Sequence, residues 1–337
     1  MTSPLPPLPL IDNHLFIDNT FLEKLNACER AVEYAYLHRR VASHSAAALN
    51  FGGALHHALA YRYANCPDYV TPDETSKIHS MLSEWFQTNP NPEEDYQNLD
   101  LATRTIDAYN SAYMGEEFKT LTLSSTPAVE LPFVFPLCRY QGINIMYCGR
   151  IDLAVHIDNQ LFVVDHKTTS IMGEQFFQGL SVSPQMMGYC AGIEQLLPTE
   201  KCYGFLVNVI KKTRPTKLNG LKIPRESFQR LKVYLNPGTL AEWRRNTIAL
   251  IEAFITNYYK GFLPQKKTWC VNKYGRCEYL SVCQLEDTNR PLALATGEFR
   301  DNIWSPLNDF HESIIQLNRN AKEFADAQKP ISPEANV

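Results

Sequence analysis

The chain has 337 residues, enough for one large domain or two modest ones. With 45% hydrophobic and 20% charged residues, its composition excludes a collagen-like or wholly disordered chain. The net charge of −4 speaks weakly against a nucleic-acid partner, yet residues 211–232 carry +7, which leaves −11 for the rest.

That basic stripe consists of Lys211, Lys212, Arg214, Lys217, Lys222, Arg225, Arg230 and Lys232 against Glu226. It reads either as a phosphate-binding surface or as a solvated face. The opening residues lack the basic and continuous apolar regions of a signal peptide. No apolar run approaches the roughly 18–20 residues of a membrane span. A cytoplasmic location without membrane contact is therefore expected. The nine cysteines, an odd number, then argue against a disulfide framework. Cys66, Cys138, Cys148, Cys190 and Cys202 sit in apolar segments and read as small buried hydrophobes.

In chain order, residues 1–18 read as a proline-rich lead-in. Phe21, Leu25, Cys28, Val32 and Tyr36 recur at helical spacing and predict a helix from Thr20 to about Val41. A second helix follows Gly53, and residues 73–115 predict two more, separated by the break at 89–94. Residues 127–138 look extended. Two strands, 143–157 and 160–167, follow, joined by Asp158-Asn159, residue types that tolerate the positive φ of a tight hairpin turn. Ser183-Pro184 opens a helix over 184–196. Strands near 202–210 and 227–235 come next. Thr239 and Glu242 form a capping-box pattern for a helix to about Tyr259. An amphipathic stretch lies near 307–325.

The hairpin register points to chemistry. A turn at Asp158-Asn159 opposes residues whose numbers sum to 317, which sets Asp152 across from Asp165 and Arg150 across from Lys167. Alternate residues share a face, so all four would project together, with opposed Cβ atoms roughly 4.5–5.5 Å apart. Two carboxylates so placed repel each other, and a hard divalent cation such as Mg²⁺ or Mn²⁺ relieves that repulsion. A plainer reading pairs them with Arg150 and Lys167 on a wet sheet face, which the apolar flanks of both aspartates oppose.

Gly149-Arg150-Ile151-Asp152 followed by Asp165-His166-Lys167-Thr168 resembles the GxxD…DxKT signature of RecB-type PD-(D/E)XK nucleases. Gly52-Gly53-Ala54-Leu55-His56 with Leu59 resembles the GxxxHxxL helix of that family. Glu130 resembles the acidic residue of its preceding strand, and Gln185 with Tyr189 its QxxxY helix motif. The resemblance implies that Asp152, Asp165, His56 and the backbone carbonyl of His166 hold Mg²⁺ or Mn²⁺, with His57 as the alternative to His56. It implies that Lys167 orients water or stabilises charge on the phosphate. Gln185 and Tyr189 would position the DNA strand and the hairpin. Glu130 would either join the site or pair with a nearby base.

Cys270, Cys277 and Cys283 crowd into fourteen residues. CEYLSVC resembles the C-terminal motif of iron–sulfur RecB-like nucleases such as AddB-type subunits and CRISPR-associated exonucleases. That resemblance implies a 4Fe-4S cluster with Cys28 as the fourth, upstream thiolate. The gap between Cys270 and Cys277 is wider than in those families, and a Cys₄ zinc site is the alternative.

The expected fold is α/β, a mixed central sheet flanked by helices, with a C-terminal cysteine-cluster clasp. The expected organisation is a lead-in over 1–18, a nuclease domain with the clasp over 19–285 and a polar tail over 286–337. The implied function is metal-dependent hydrolysis of DNA, acting as an exonuclease on single strands or ends, in recombination, repair or processing. A helicase or recombination partner would fit. An endonuclease or CRISPR-adaptation processing enzyme on the same fold, and a noncatalytic iron–sulfur DNA-binding subunit, are the alternatives.

Overall fold

Asp158 and Asn159 both take left-handed backbone angles, φ 51° and 62°, and close the expected hairpin in the computed structural model of the protein. The structure describes residues 5–43, 47–66, 69–92, 95–214, 222–272 and 275–302. The amphipathic stretch near 307–325, Lys217 and the last two residues of the 89–94 break lie outside them.

The main elements are β1 (His14–Ile17), α1 (Asn19–Ala27), α2 (Ala47–Asn65), α3 (Pro72–Thr88), α4 (Leu99–Ala112), β2 (Val129–Tyr140) and β3 (Ile143–Ile157). They continue with β4 (Gln160–Thr169), α5 (Glu174–Ser181), α6 (Pro184–Leu196), β5 (Cys202–Lys211), β6 (Phe228–Tyr234) and α7 (Thr239–Tyr259). The sheet runs β1-β3-β4-β5-β6, with β2 also paired to β3. β1 with β3 and β4 with β5 are parallel, while β3 with β4 and β5 with β6 are antiparallel, so the sheet is mixed as expected.

The chain divides into two units. One comprises Met1–His44, Pro132–Gly149 and Ala241–Val337; the other comprises Ser45–Leu131 and Arg150–Leu240. In the second, α2, α3 and α4 pack together, and their apolar faces join Leu153, Val155, Phe162 and Val164 in one buried cluster. α3 starts with a complete capping box, in which Thr71 and Glu74 each satisfy the other's backbone N–H, followed by Pro72. Because β4 and β5 run parallel, the chain must cross back over the sheet, and α6 makes that crossing, packed on both strands.

In the first unit, α1 is capped by Asp18 and buries Phe21, Leu22 and Leu25. Phe21 meets Phe254 of α7 edge to face at 5.8 Å, and Tyr147 meets Trp243 at 5.1 Å.

Three expectations change. The helix expected from Thr20 to Val41 stops at Ala27: Cys28 is extended, with φ −169° and ψ 120°. A short helical turn, Glu29–Val32, and a wide turn, Glu33–Leu37, follow, and Arg40–Ala42 is a strand paired with Phe299–Asp301. Both helical pieces bury apolar residues, so the periodicity runs unbroken across the interruption. α2 begins before Gly53 and carries both glycines in its interior. The segment read as a lead-in contributes β1, and α5 adds a helix that sequence reasoning missed.

Candidate active site

The β3–β4 ladder keeps the expected register from Ile157↔Gln160 to Leu153↔Val164 and then stops. In this register the backbone N–H of His166 would next bond across to Ile151. It instead donates to Oδ2 of Asp152 at 2.8 Å. The rung is replaced by a side chain, and the strands part there. Arg150 therefore does not sit across from Lys167. Its Nε lies 2.8 Å from Oε2 of Glu130, on the neighbouring strand.

Asp152 and Asp165 are both buried, 8% and 1% exposed, which removes the wet-face reading. Burial, and after it the charge of Asp165, push the Asp152 carboxyl well above the usual carboxylate range. Lys167 Nζ lies 3.1 Å from Oδ1 and 2.9 Å from Oδ2 of Asp165. The two contacts make one close ion pair, of which the first has hydrogen-bond geometry.

Lys167 also donates to Oε1 of Gln185 at 2.7 Å, and Gln185 Nε2 donates to the Tyr189 hydroxyl at 2.8 Å. The i,i+4 spacing sets these two side chains on one face of α6. Asp165, Lys167, Gln185 and Tyr189 thus form one continuous polar chain.

His56 comes from α2, whose Leu55 and Leu59 pack in the core cluster. Its Nδ1 lies 3.4 Å from Oδ2 of Asp152. Burial holds its imidazole below the ordinary histidine range, the neutral form a metal ligand needs. One turn earlier, a Cβ at Gly52 would meet Oγ1 of Thr168 at 3.0 Å. The glycine therefore sets how closely this helix approaches β4. His57 is exposed and faces the Trp85 ring instead.

Glu130 adopts φ 49°, uncommon for a residue with a side chain. Ligand atoms of His56, Glu130 and Asp152 lie within 4.8 Å of one another, a mixed nitrogen and oxygen set that suits a divalent cation.

The His166 ring turns the other way, into a polar network absent from the sequence reading. Arg230 Nε approaches Oδ1 of Asn208 at 3.4 Å, and an arginine can only donate. The Asn208 amide nitrogen then faces His166 Nδ1, at 2.8 Å, and that ring nitrogen accepts. The Glu116 side chain, 3% exposed, receives Arg230 at 2.7 Å, Arg62 at 3.0 Å and the Tyr63 hydroxyl at 2.8 Å. These partners lie scattered over more than a hundred residues, and no local pattern marks them. Arg230 is thereby withdrawn from the basic stripe. Lys212 is buried as well, and Arg225 lies over the Tyr113 ring, so the stripe is not one continuous surface.

In the first unit, Cys28, Cys270, Cys277 and Cys283 all line one cavity of about 430 Å³. The break at Cys28 lets its sulfur accept the Lys266 N–H at 3.4 Å, and Cys270 accepts the Gln265 amide at 3.6 Å. Burial raises the Cys277 and Cys283 thiols above their ordinary range. Among the described residues, no three of these sulfurs lie within 4.8 Å of one another.

No curated protein matches the chain in sequence. Among solved structures it is similar to a Eubacterium rectale protein described as "Putative exonuclease", at 11% identity and TM-score 0.49, covering 80% of this chain and 89% of that one. It is also similar to SSO0001, at 14% identity and TM-score 0.27, covering 60% and 85%. A family model described as PD-(D/E)XK nuclease superfamily matches residues 20–284, which take in both the paired aspartates with their lysine and the cysteine cavity. The chain belongs to the PD-(D/E)XK nuclease superfamily.

Proposed function

We propose that this nuclease is a metal-dependent deoxyribonuclease of the RecB-like branch, trimming single strands or ends of DNA, with an iron–sulfur cluster in its cysteine cavity. The observation that carries the metal dependence is the burial of Asp152 together with Asp165, in which burial and the charge of Asp165 push the Asp152 carboxyl up. Such a pair is costly alone and stable around a cation.

Asp152, Asp165, His56 and the His166 carbonyl would hold Mg²⁺ or Mn²⁺, and Glu130 would join them through its closeness to His56 and Asp152. When bound, the ion supplies polarisation of the scissile phosphate and a more acidic water. Lys167 keeps its ammonium within 3.1 Å of Asp165 and can orient that water or meet charge developing on the phosphate. Gln185 holds Lys167 in place, and Tyr189 holds Gln185. The nitrogen of His56 favours Mn²⁺ at least as much as Mg²⁺.

The cavity supports the second cofactor. One zinc ion with Zn–S bonds of ~2.3 Å would draw its four thiolates to about 3.8 Å apart. Thiolates around a four-iron core sit wider, and the reading of a cluster rests on the four cysteines lining one cavity.

The test is end-labelled single- and double-stranded DNA incubated with Mn²⁺ and with chelator. A metal-dependent ladder growing from one end is the expected result. Internal cuts would make the enzyme an endonuclease, and intact DNA in every condition would overturn the catalytic reading.

A further inference from the structure

Between Thr169 and Pro184 the chain leaves the sheet and returns, and its two ends are joined by the Lys167–Gln185 hydrogen bond at 2.7 Å. The excursion therefore begins and ends at the proposed catalytic centre. It carries α5, none of whose residues is buried. Phe176 and Phe177 are half-exposed, their rings edge to face at 5.6 Å. Ile171 and Val182, at either end, are 74% and 70% exposed.

Local hydrogen bonds brace both ends of this segment. The Thr169 hydroxyl donates to the Ile171 carbonyl at 2.8 Å and accepts the Ile171 N–H at 3.1 Å. At the other end the Ser183 N–H closes onto the Leu180 carbonyl at 3.2 Å. Lys211 stands beside Thr169 in the parallel β4–β5 register. Exposed apolar and aromatic side chains with a cation at their margin suit unpaired bases lying against them and phosphates along the edge. A duplex keeps its base faces inside its own stack and offers nothing to such a surface.

We propose that residues 170–183 form the base-contacting surface for a single, unpaired nucleic-acid strand, with Ile171 and Val182 against the bases and Lys211 toward the backbone. The proposal rests on the nuclease reading of the adjoining site and gives it a preference for unpaired substrate.

The test is fluorescence anisotropy, in chelator so that no cleavage occurs. The probes are a labelled single-stranded oligonucleotide and the same oligonucleotide made abasic throughout. The parent should bind the abasic probe about tenfold more weakly. The Ile171→Ser/Val182→Ser variant should bind the intact probe more weakly than the parent does, with no further loss on the abasic probe. Ile171→Leu should keep parental binding. Equal binding of both probes by the parent, or losses that add in the variant, would overturn the proposal. So would a change in the variant's sedimentation, which would make the surface an interface between copies. Cleavage by the same preparations separates the two readings. A parent that senses bases but cuts nothing keeps this surface and loses the nuclease activity. A parent that cuts but ignores bases loses only the surface.

Discussion

The backbone N–H of His166 donates to the carboxylate of Asp152 at 2.8 Å, in the place where the hairpin would otherwise form its next rung. The contact fixes Asp152 by a main-chain group. It also parts the strands where His56 comes within 3.4 Å of the same carboxylate.

Lys167→Ala should reduce cleavage at least a hundredfold while leaving the melting temperature close to the parent's. Gln185→Leu should cost less, roughly tenfold, because Lys167 keeps Asp165 as its second partner. Single-turnover rates check both. Equal losses in the two variants would show that Gln185 does more than hold the lysine.

The raised Asp152 carboxyl has a signed consequence for metal-free protein. A group whose folded pKa lies above its unfolded value favours the fold at low pH, and that stability is lost as pH rises through the folded value. Thermal melts in chelator should therefore fall as pH climbs above the ordinary carboxylate range, and Mn²⁺ should flatten the fall. Asp152→Asn should be inactive, yet at neutral pH without metal it should melt higher than the parent by roughly 2 °C. A lower melting temperature would contradict the strained-pair account.

Gly52→Ala puts a methyl 3.0 Å from Thr168 Oγ1 and should shift the turn that carries His56. The expected effect is about a tenfold fall in rate with about 1 kcal/mol of lost stability. Adding Thr168→Ala should restore much of both, a coupling read by a double-mutant cycle. Additive losses would mean that the close approach does not set the position of His56.

Glu116→Leu should destabilise the second unit by about 3–5 kcal/mol, because it leaves the buried Arg62 and the half-buried Arg230 without their shared carboxylate. Urea denaturation gives the value. A loss under about 1 kcal/mol would mean that the arginines find other partners.

Protein purified without oxygen should be brown, with broad absorbance near about 400 nm. Cys28→Ser should lose colour and stability together. Colourless protein with stoichiometric zinc would replace the cluster, and a coloured, fully stable Cys28→Ser protein would remove Cys28 from the cavity's chemistry.

The parts of this molecule legible in its sequence are those written locally. The β3–β4 turn and the bounds of α6 follow from Asp158-Asn159 and Ser183-Pro184, whose backbone preferences act over a few residues. The Gln185–Tyr189 pair along α6 is legible too, because i,i+4 spacing fixes which side chains share a face. The interruption at Cys28 is hidden because the apolar period continues through it. Glu116 and Arg230 are hidden for another reason. Each is an ordinary charged residue in its own segment, and only a pairing 114 residues long buries them together.

The ion pair between Arg150 and Glu130 bears on the sign of the whole site. With every group ionised, Asp152, Asp165 and Glu130 face Lys167 and Arg150, and a single negative charge is left over. Burial leaves Asp152 reluctant to carry its share of that charge, so a divalent ion would have to displace its proton, and uptake should tighten as pH rises. With that ion bound the balance becomes one positive charge, the complement of one phosphodiester. On the proposed metal-dependent reading, metal and nucleic-acid substrate should then each tighten the binding of the other.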